Sequence, residues 1–258
     1  MVLNGDDSIM HVNISDIAPL QLASGIAERT LLRPNQTVPG GLSVRHHVVT
    51  SGELVFDEPD VEYQHYVIAG SAVFGMRLVH GESAIFVPGN RRFGKTQKHS
   101  FIHQGESELR ILTITYKIPR PNFRWAKTRI RNLYEAQQSA ANWSGYAQIF
   151  SEEEHAVMGA LRMHAVDVQT EPPLNSRPEH NDPETVMYFL RGTGEVRPGD
   201  KKYQVRPGSL IYAPEGVNHG IYNTSDKFPL QYLVVEFVEQ DKMWTERAYQ
   251  RKTGGTSQ

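Results

Sequence analysis

Eleven histidines and no cysteine set the chemistry open to this 258-residue chain. Without a thiol there is no thiolate nucleophile, disulfide, Cys-ligated zinc or iron–sulfur cluster. Any metal must be held by imidazole and carboxylate. In the N-terminal half Tyr63, His65 and Val67 alternate, so in a strand they share one face, expected to be the inner one. His99, His103 and Glu62 are the titratable groups to set beside them. This set reads as a metal or ligand pocket, or as a His–Tyr pair doing acid–base work without metal. The simpler expectation is a structural unit with satisfied core histidines. Adjacent His46 and His47 point to opposite faces of a strand, so one is expected buried and one wet.

Charge excludes other classes. Lys plus Arg number 27 and Asp plus Glu 29, a formal net charge of −2, so no overall field draws in nucleic acid or an anionic membrane. The basic loop with Arg91, Arg92, Lys95 and Lys98 could cover an anionic substrate, but reads more simply as solvated or as an oligomer contact. Arg120, Arg124, Lys127, Arg129 and Arg131 surround Trp125 in a segment where packing and ion pairs are expected, not nucleic acid. No apolar run reaches the roughly 18 residues of a membrane span. The first residues include Asp6 and Asp7 and no apolar stretch, so no secretory signal is expected and the cytoplasm is the expected address.

The elements that must position these residues come in two copies. Tyr66-Val-Ile-Ala-Gly70 matches Tyr188-Phe-Leu-Arg-Gly192 at an offset of 122. Phe86-Val-Pro88 returns as Tyr212-Ala-Pro214, offset 126, and His99–His103 as His219–Asn223, offset 120. Leu109–Tyr116 returns as Leu230–Phe237, offset 121. Four landmarks in one order make the chain two copies of one unit. Short β-branched and aromatic segments such as Thr185–Leu190 and Gln231–Val238 read as strands, punctuated by the Pro-Gly turns of Arg197–Asp200 and Arg206–Ser209. A closed or double-sheet β architecture follows, since it removes open edges. Between the copies, Pro119 and Pro121 disfavour a continuing strand, and Asn132–Trp143 could be a short helix.

The stretch Gly208-Ser-Leu-Ile-Tyr-Ala-Pro214-Glu-Gly216-Val-Asn-His219-Gly-Ile-Tyr-Asn223 resembles the second motif of the cupin family at every fixed position. With the repeat, the chain is similar to a bicupin. The resemblance implies an all-β fold of two tandem jelly-roll (double-stranded β-helix) barrels with a partly helical connector. The expected organisation is an N-terminal arm at 1–30, barrels at 31–117 and 146–240, a connector at 118–145 and a loose tail at 241–258. A possible homo-oligomer is expected.

The family holds one metal with three histidines and a glutamate, and its first motif is damaged here. Counting back from Gly192, Thr185 takes the glutamate position, with Glu184 one residue earlier; His180 takes the second histidine and Pro178 the first. Glu184 reaches the cavity only through a bulge or a late strand start. In the first copy the four positions fall on Phe56, Glu58, Tyr63 and His99. The resemblance therefore implies one divalent transition metal (Fe, Mn, Ni or Zn) on His180, Glu184 and His219, with Glu184 and His219 catalytic. Met187, Phe189 and Tyr222 are expected to line the substrate pocket, and Tyr63, His65 and His99 are second candidates. The expected function is a metal-dependent, dioxygenase-type enzyme acting on a small carboxylate or phenolic compound. The alternatives are a non-redox hydrolase, isomerase or lyase, and a non-catalytic small-molecule binder. The ligand pattern of ureidoglycine aminohydrolases, bicupins of similar length, is absent.

Overall fold

The computed structural model describes residues 9–37, 42–58, 61–88, 98–117, 127–139, 145–150, 162–170, 176–180, 184–198 and 201–237. In the N-terminal half the strands are β1 (Met10–Asn13), β2 (Leu20–Ala23), β3 (Ile26–Leu32), β4 (Leu42–Val49), β5 (Glu53–Phe56) and β6 (Val61–Ala69). They continue with β7 (Ser71–Phe74), β8 (Arg77–His80), β9 (Ser83–Val87), β10 (His99–Gln104) and β11 (Leu109–Lys117). Next come β12 (Arg129–Asn132) and α1 (Leu133–Ser139), the one α-helix among the described residues. The C-terminal half has β13 (Tyr146–Phe150), β14 (Arg162–Val168), β15 (Ser176–His180), β16 (Glu184–Arg191) and β17 (Gly194–Pro198). It ends with β18 (Tyr203–Val205), β19 (Ser209–Ala213), β20 (His219–Asn223) and β21 (Leu230–Phe237).

Each half is a large sheet facing a small one. The N-terminal sheets run β12-β9-β6-β11-β4-β3-β2 and β5-β10-β7-β8. The C-terminal sheets run β1-β19-β16-β21-β14-β13 and β15-β20-β17-β18. Apart from β2, which has no counterpart among the described residues, the order repeats strand for strand, as the sequence landmarks require. Two strands are exchanged. Met10–Tyr212 begins the antiparallel register that seats β1 on β19, and Arg129–Phe86 begins the one that seats β12 on β9. The residues read as an arm thus add one strand to the C-terminal sheet and most of two to the N-terminal sheet. The segment read as a connector carries β12 and α1.

Three cores follow. Phe56, Val67, Ile85, Phe101 and Ile111 fill the N-terminal interior, and Met187, Phe189, Ile211, Ile221 and Val234 the C-terminal one. The largest cluster lies between the halves, where Leu42, Tyr66, Phe86 and Leu112 meet Phe150, Tyr188, Leu210 and Leu233. The central strands of both large sheets are therefore buried on two faces, and β9 and β19 are buried at every residue. The small N-terminal sheet has one wet face, and β5 alternates exposed and buried. Gly70 and Gly192, equivalent in the repeat, both take positive φ (79° and 76°). A Cβ there would stand 2.5 Å from the Glu108 carbonyl and 2.4 Å from that of Pro229, so only glycine closes these turns.

Burial of both faces corrects the reading of the histidine pair. His47 faces the N-terminal interior and His46 the opposite face, yet they are 1% and 2% exposed. The wet side expected for one of them is covered, because that face belongs to the packed side of the large sheet.

Candidate functional site

Alternation sorts the inner groups of the N-terminal half. Tyr63 and Val67 belong to its interior cluster, so His65 between them faces inward too. On the neighbouring strands Thr113, Arg45 and Thr30 stand in register with His65: Thr113 pairs with both His65 and Arg45, and Arg45 with Thr30. One row of polar side chains thus crosses four strands. From the facing sheet β10 brings His99, paired with Phe56 of β5.

The rows meet at two imidazoles. His65 Nε2 lies 2.8 Å from His99 Nε2, and His65 Nδ1 lies 3.0 Å from Thr113 Oγ1. Aromatic rings wall this contact. Phe56 stacks on His99 (5.2 Å, 14°) and Tyr63 on His65 (5.5 Å, 14°), while Phe101 meets His65 edge-on at 5.0 Å. His65 is fully buried. Burial first, then the neighbouring His99, His47 and Arg45, hold it neutral, with its pKa well below the usual histidine range. The Tyr63 hydroxyl accepts a hydrogen bond from the Glu58 backbone N–H at 3.0 Å. Burial raises its pKa to about 12, so it is a phenol at neutral pH.

Beside this pair lies a charged group. Arg45 reaches Glu58 at 2.5 Å and Glu28 at 3.9 Å, and Glu28 stands 3.7 Å from His47 Nδ1. Buried Arg45 Nε and both His47 ring nitrogens have no hydrogen-bond partner. Burial, Arg45 and His46 push the pKa of His47 down to about 3, so it too is neutral. Unspent buried donors and acceptors mark a place where a polar guest gains what the protein leaves unmade. Arg45 and Glu28 escape the sequence reading, although alternation from His47 places Arg45 on the same face. His103 bonds the Ser107 carbonyl at 2.9 Å, and Glu62 lies on the Tyr66 side of β6, so neither joins the pair.

The C-terminal candidates divide differently. Met187 and Phe189 are buried in the interior as expected, and His219 is 1% exposed on the Ile221 side, its Nδ1 2.9 Å from the Val217 carbonyl. Glu184 is on the other face. β16 pairs regularly from its first residue (Glu184–Phe237, Thr185–Glu236, Val186–Val235), and its irregularity comes only at Phe189/Arg191. With no bulge at its start, Glu184 shares the Val186 and Tyr188 face and is hydrogen-bonded by the Tyr212 hydroxyl. Tyr222 is likewise displaced: it lies on the face opposite Ile221, beneath the Arg197 guanidinium at 4.0 Å. The inner carboxylate that the sequence reading missed is Glu236, which pairs with Thr185, the position where the cupin motif asks for Glu. Its Oε1 lies 3.9 Å from His164 Nε2, another buried inner group. His180 stands opposite His219 in the β15–β20 register, but its side chain lies outside the described residues, as do Arg91, Arg92, Lys95, Arg120, Arg124 and Trp125.

The donor set was tested against a three-histidine, one-carboxylate metal centre. Among the described residues no three His, Asp or Glu side chains converge as a metal requires. The N-terminal half offers two imidazoles, and the expected C-terminal carboxylate faces away. The described residues do not fit such a centre. The repeat also contrasts the two interiors. Where the N-terminal half has His65 and Thr113, the equivalent C-terminal positions are Met187 and Val234.

Comparison with known proteins agrees with this architecture. A family model described as "Cupin domain" matches residues 166–236. No curated protein matches the sequence. Among solved structures, protein Ylba from E. coli superposes with a TM-score of 0.71 at 12% identity, covering 89% of this chain and 90% of that one. A putative glyoxylate induced protein from Pseudomonas aeruginosa gives 0.69 at 12% identity, covering 89% of each chain. An oxalate decarboxylase variant from B. subtilis gives 0.64 at 14%, covering 96% of this chain and 84% of that one. At such identities the likeness is one of fold. No helix among the described residues is long and apolar enough to cross a membrane. Sheet order, repeat and second motif, with the cupin-domain match over residues 166–236, give this chain the all-β jelly-roll fold of cupins.

Proposed function

We propose that this bicupin is an enzyme that moves protons on a small organic acid or phenol between the sheets of its N-terminal half. The observation that carries the reading is the Thr113–His65–His99 chain of contacts, 3.0 and 2.8 Å long. His65 is held neutral, and where the two imidazoles meet Nε2 to Nε2 one hydrogen must lie between them. If His65 donates from Nε2, its Nδ1 accepts from the Thr113 hydroxyl and His99 carries its own hydrogen on Nδ1, which can act as an acid. If His99 donates, His65 Nδ1 donates to Thr113 and the His99 Nδ1 lone pair can act as a base. In the second state His99 Nδ1 takes a proton from the guest and returns it to another atom of the guest, so Thr113 keeps its own hydrogen throughout. His99, partly exposed, is the group that faces a substrate; His65 and Thr113 are positioning residues that fix its tautomer. Phe56, Tyr63 and Phe101 suit a planar guest, and Arg45 in the same row suits its acidic group. The similar structure named oxalate decarboxylase acts, by that name, on a small dicarboxylate, which supports the substrate class.

A second reading, a metal-dependent, dioxygenase-type enzyme with its centre in the C-terminal half, is favoured by the His180–His219 register and by Glu236 beside Thr185. Its carboxylate would be Glu236.

Benzoate and 4-hydroxybenzoate are the probes, read by thermal shift on the full chain. Stabilisation by either that is lost in His99→Ala and kept in His219→Ala is the expected result. The opposite dependence favours the second reading, and no stabilisation by either probe refutes the first.

A further inference from the structure

A cleft of about 510 Å³ opens where the halves and α1 meet, far in character from the aromatic interior just described. Three charges line it: Glu82 from the β8–β9 turn, Asp167 from β14 and Arg191 from the end of β16. Glu82 is the only non-glycine residue at positive φ (72°) among those described; its carbonyl accepts from Leu133 N–H at 2.9 Å, tying the turn to α1. Its carboxylate holds the Arg191 guanidinium at 2.8 Å. That ion pair accounts for the one cation and leaves Asp167 as the surplus acid. Gln231 hydrogen-bonds the Asp167 carboxylate, but Oδ1 is buried with no partner. The Tyr66 hydroxyl, on a residue 1% exposed, also lacks a hydrogen-bond partner and feels the charges of Glu82, Arg191 and Asp167. An unspent buried acceptor thus lies on a residue that lines the cleft. Tyr134 and Phe228 stand at its rim, 61% and 65% exposed.

We infer that this cleft is a binding site for a small organic ammonium ion carrying an aromatic or apolar body, with Asp167 as its counter-ion. The ammonium donates to Asp167 Oδ1, the carboxylate atom left without a hydrogen-bond partner. The body lies against Tyr134 and Phe228, whose ring faces favour a neighbouring cation. Residues from both halves and from α1 line the cleft, so it exists only in the assembled chain. This site is independent of the proton-transfer reading, since neither His65 nor His99 lines it.

Isothermal titration of the full chain with benzylamine, and with benzyl alcohol as its uncharged counterpart, tests the inference. Benzylamine is expected to bind at least about tenfold more tightly than the alcohol, and Asp167→Asn to weaken it by about tenfold. Phe228→Ala, at an exposed position that cannot disturb folding, is expected to weaken it by about threefold. His99→Ala leaves benzylamine binding unchanged, which separates this site from the proposed active one. Absence of benzylamine binding, equal affinity for the alcohol, or full affinity in Asp167→Asn overturns the inference.

Discussion

Lowering the pH should destabilise this protein well before its carboxylates titrate. Three histidines are buried as neutral imidazoles. Burial, with Arg29 and Arg110, holds His46 down to about 4; burial, with Arg45 and His46, holds His47 down to about 3; and His65 lies well below the ordinary range. Unfolding returns each to a pKa of about 6.5, so between the folded and unfolded values the unfolded chain binds more protons than the native one. Stability is thus fully present above about pH 6.5 and is lost as pH falls toward the folded values. At about pH 5.5 the unfolded state gains RT ln(1 + 10), about 1.4 kcal/mol, per histidine, while the folded histidines stay neutral. The figure does not depend on how deeply each folded pKa is depressed. Three histidines together give a loss of about 4 kcal/mol between pH 7.5 and 5.5, a large share of a typical stability of about 5–15 kcal/mol. Urea unfolding followed by far-UV circular dichroism at both pH values measures it. His47→Asn should reduce the pH-dependent loss by about 1.4 kcal/mol, whatever it does to stability at neutral pH. An unfolding free energy that is flat across this range, or a slope unchanged in His47→Asn, would refute the assignment of these imidazoles as buried and neutral.

Gly192→Ala sets a Cβ 2.4 Å from the Pro229 carbonyl at φ 76° and should cost about 2–3 kcal/mol, whereas Gly52→Ala, also at positive φ but with open space around it, should cost about 1 kcal/mol. Differential scanning calorimetry of the two variants gives the comparison, and equal losses would show that the turn after β16 relaxes freely. Tyr212→Phe strips the buried Glu184 carboxylate of its phenol donor. It should lower stability by about 1–3 kcal/mol in urea melts while leaving benzoate-induced stabilisation intact.

How much of this was legible beforehand depends on what each strand faces. The repeat landmarks mapped onto equivalent strands because each sits at a turn or at a doubly buried core position, where few residue types are tolerated. The inward face of Tyr63, His65 and Val67 followed from alternation alone. Two things were not local. The pairing of His65 with His99 needs both sheets in place, since the residues are 34 apart and meet across the interior. The orientation of Glu184 turned on whether a bulge precedes Thr185, and the strand instead bulges at its far end. Glu236 was passed over because it ends an apolar run, where a charge reads as the edge of a strand; only the register reveals that it stands beside Thr185. The short strands β1 and β12 have little sequence signature because their partners lie in the other half, 196 residues away for the Asn13–Ser209 side-chain contact.

That reciprocal loan bears on how the molecule is made. Met10–Asn13 docks against a strand translated long after it, so these residues must wait, unsheltered, while the intervening chain is made. A gene cut at the midpoint would deliver two products, each carrying a ribbon that belongs to the other and lacking one of its own. Co-expression of such fragments should therefore yield a re-associated pair more readily than either piece alone yields a soluble monomer.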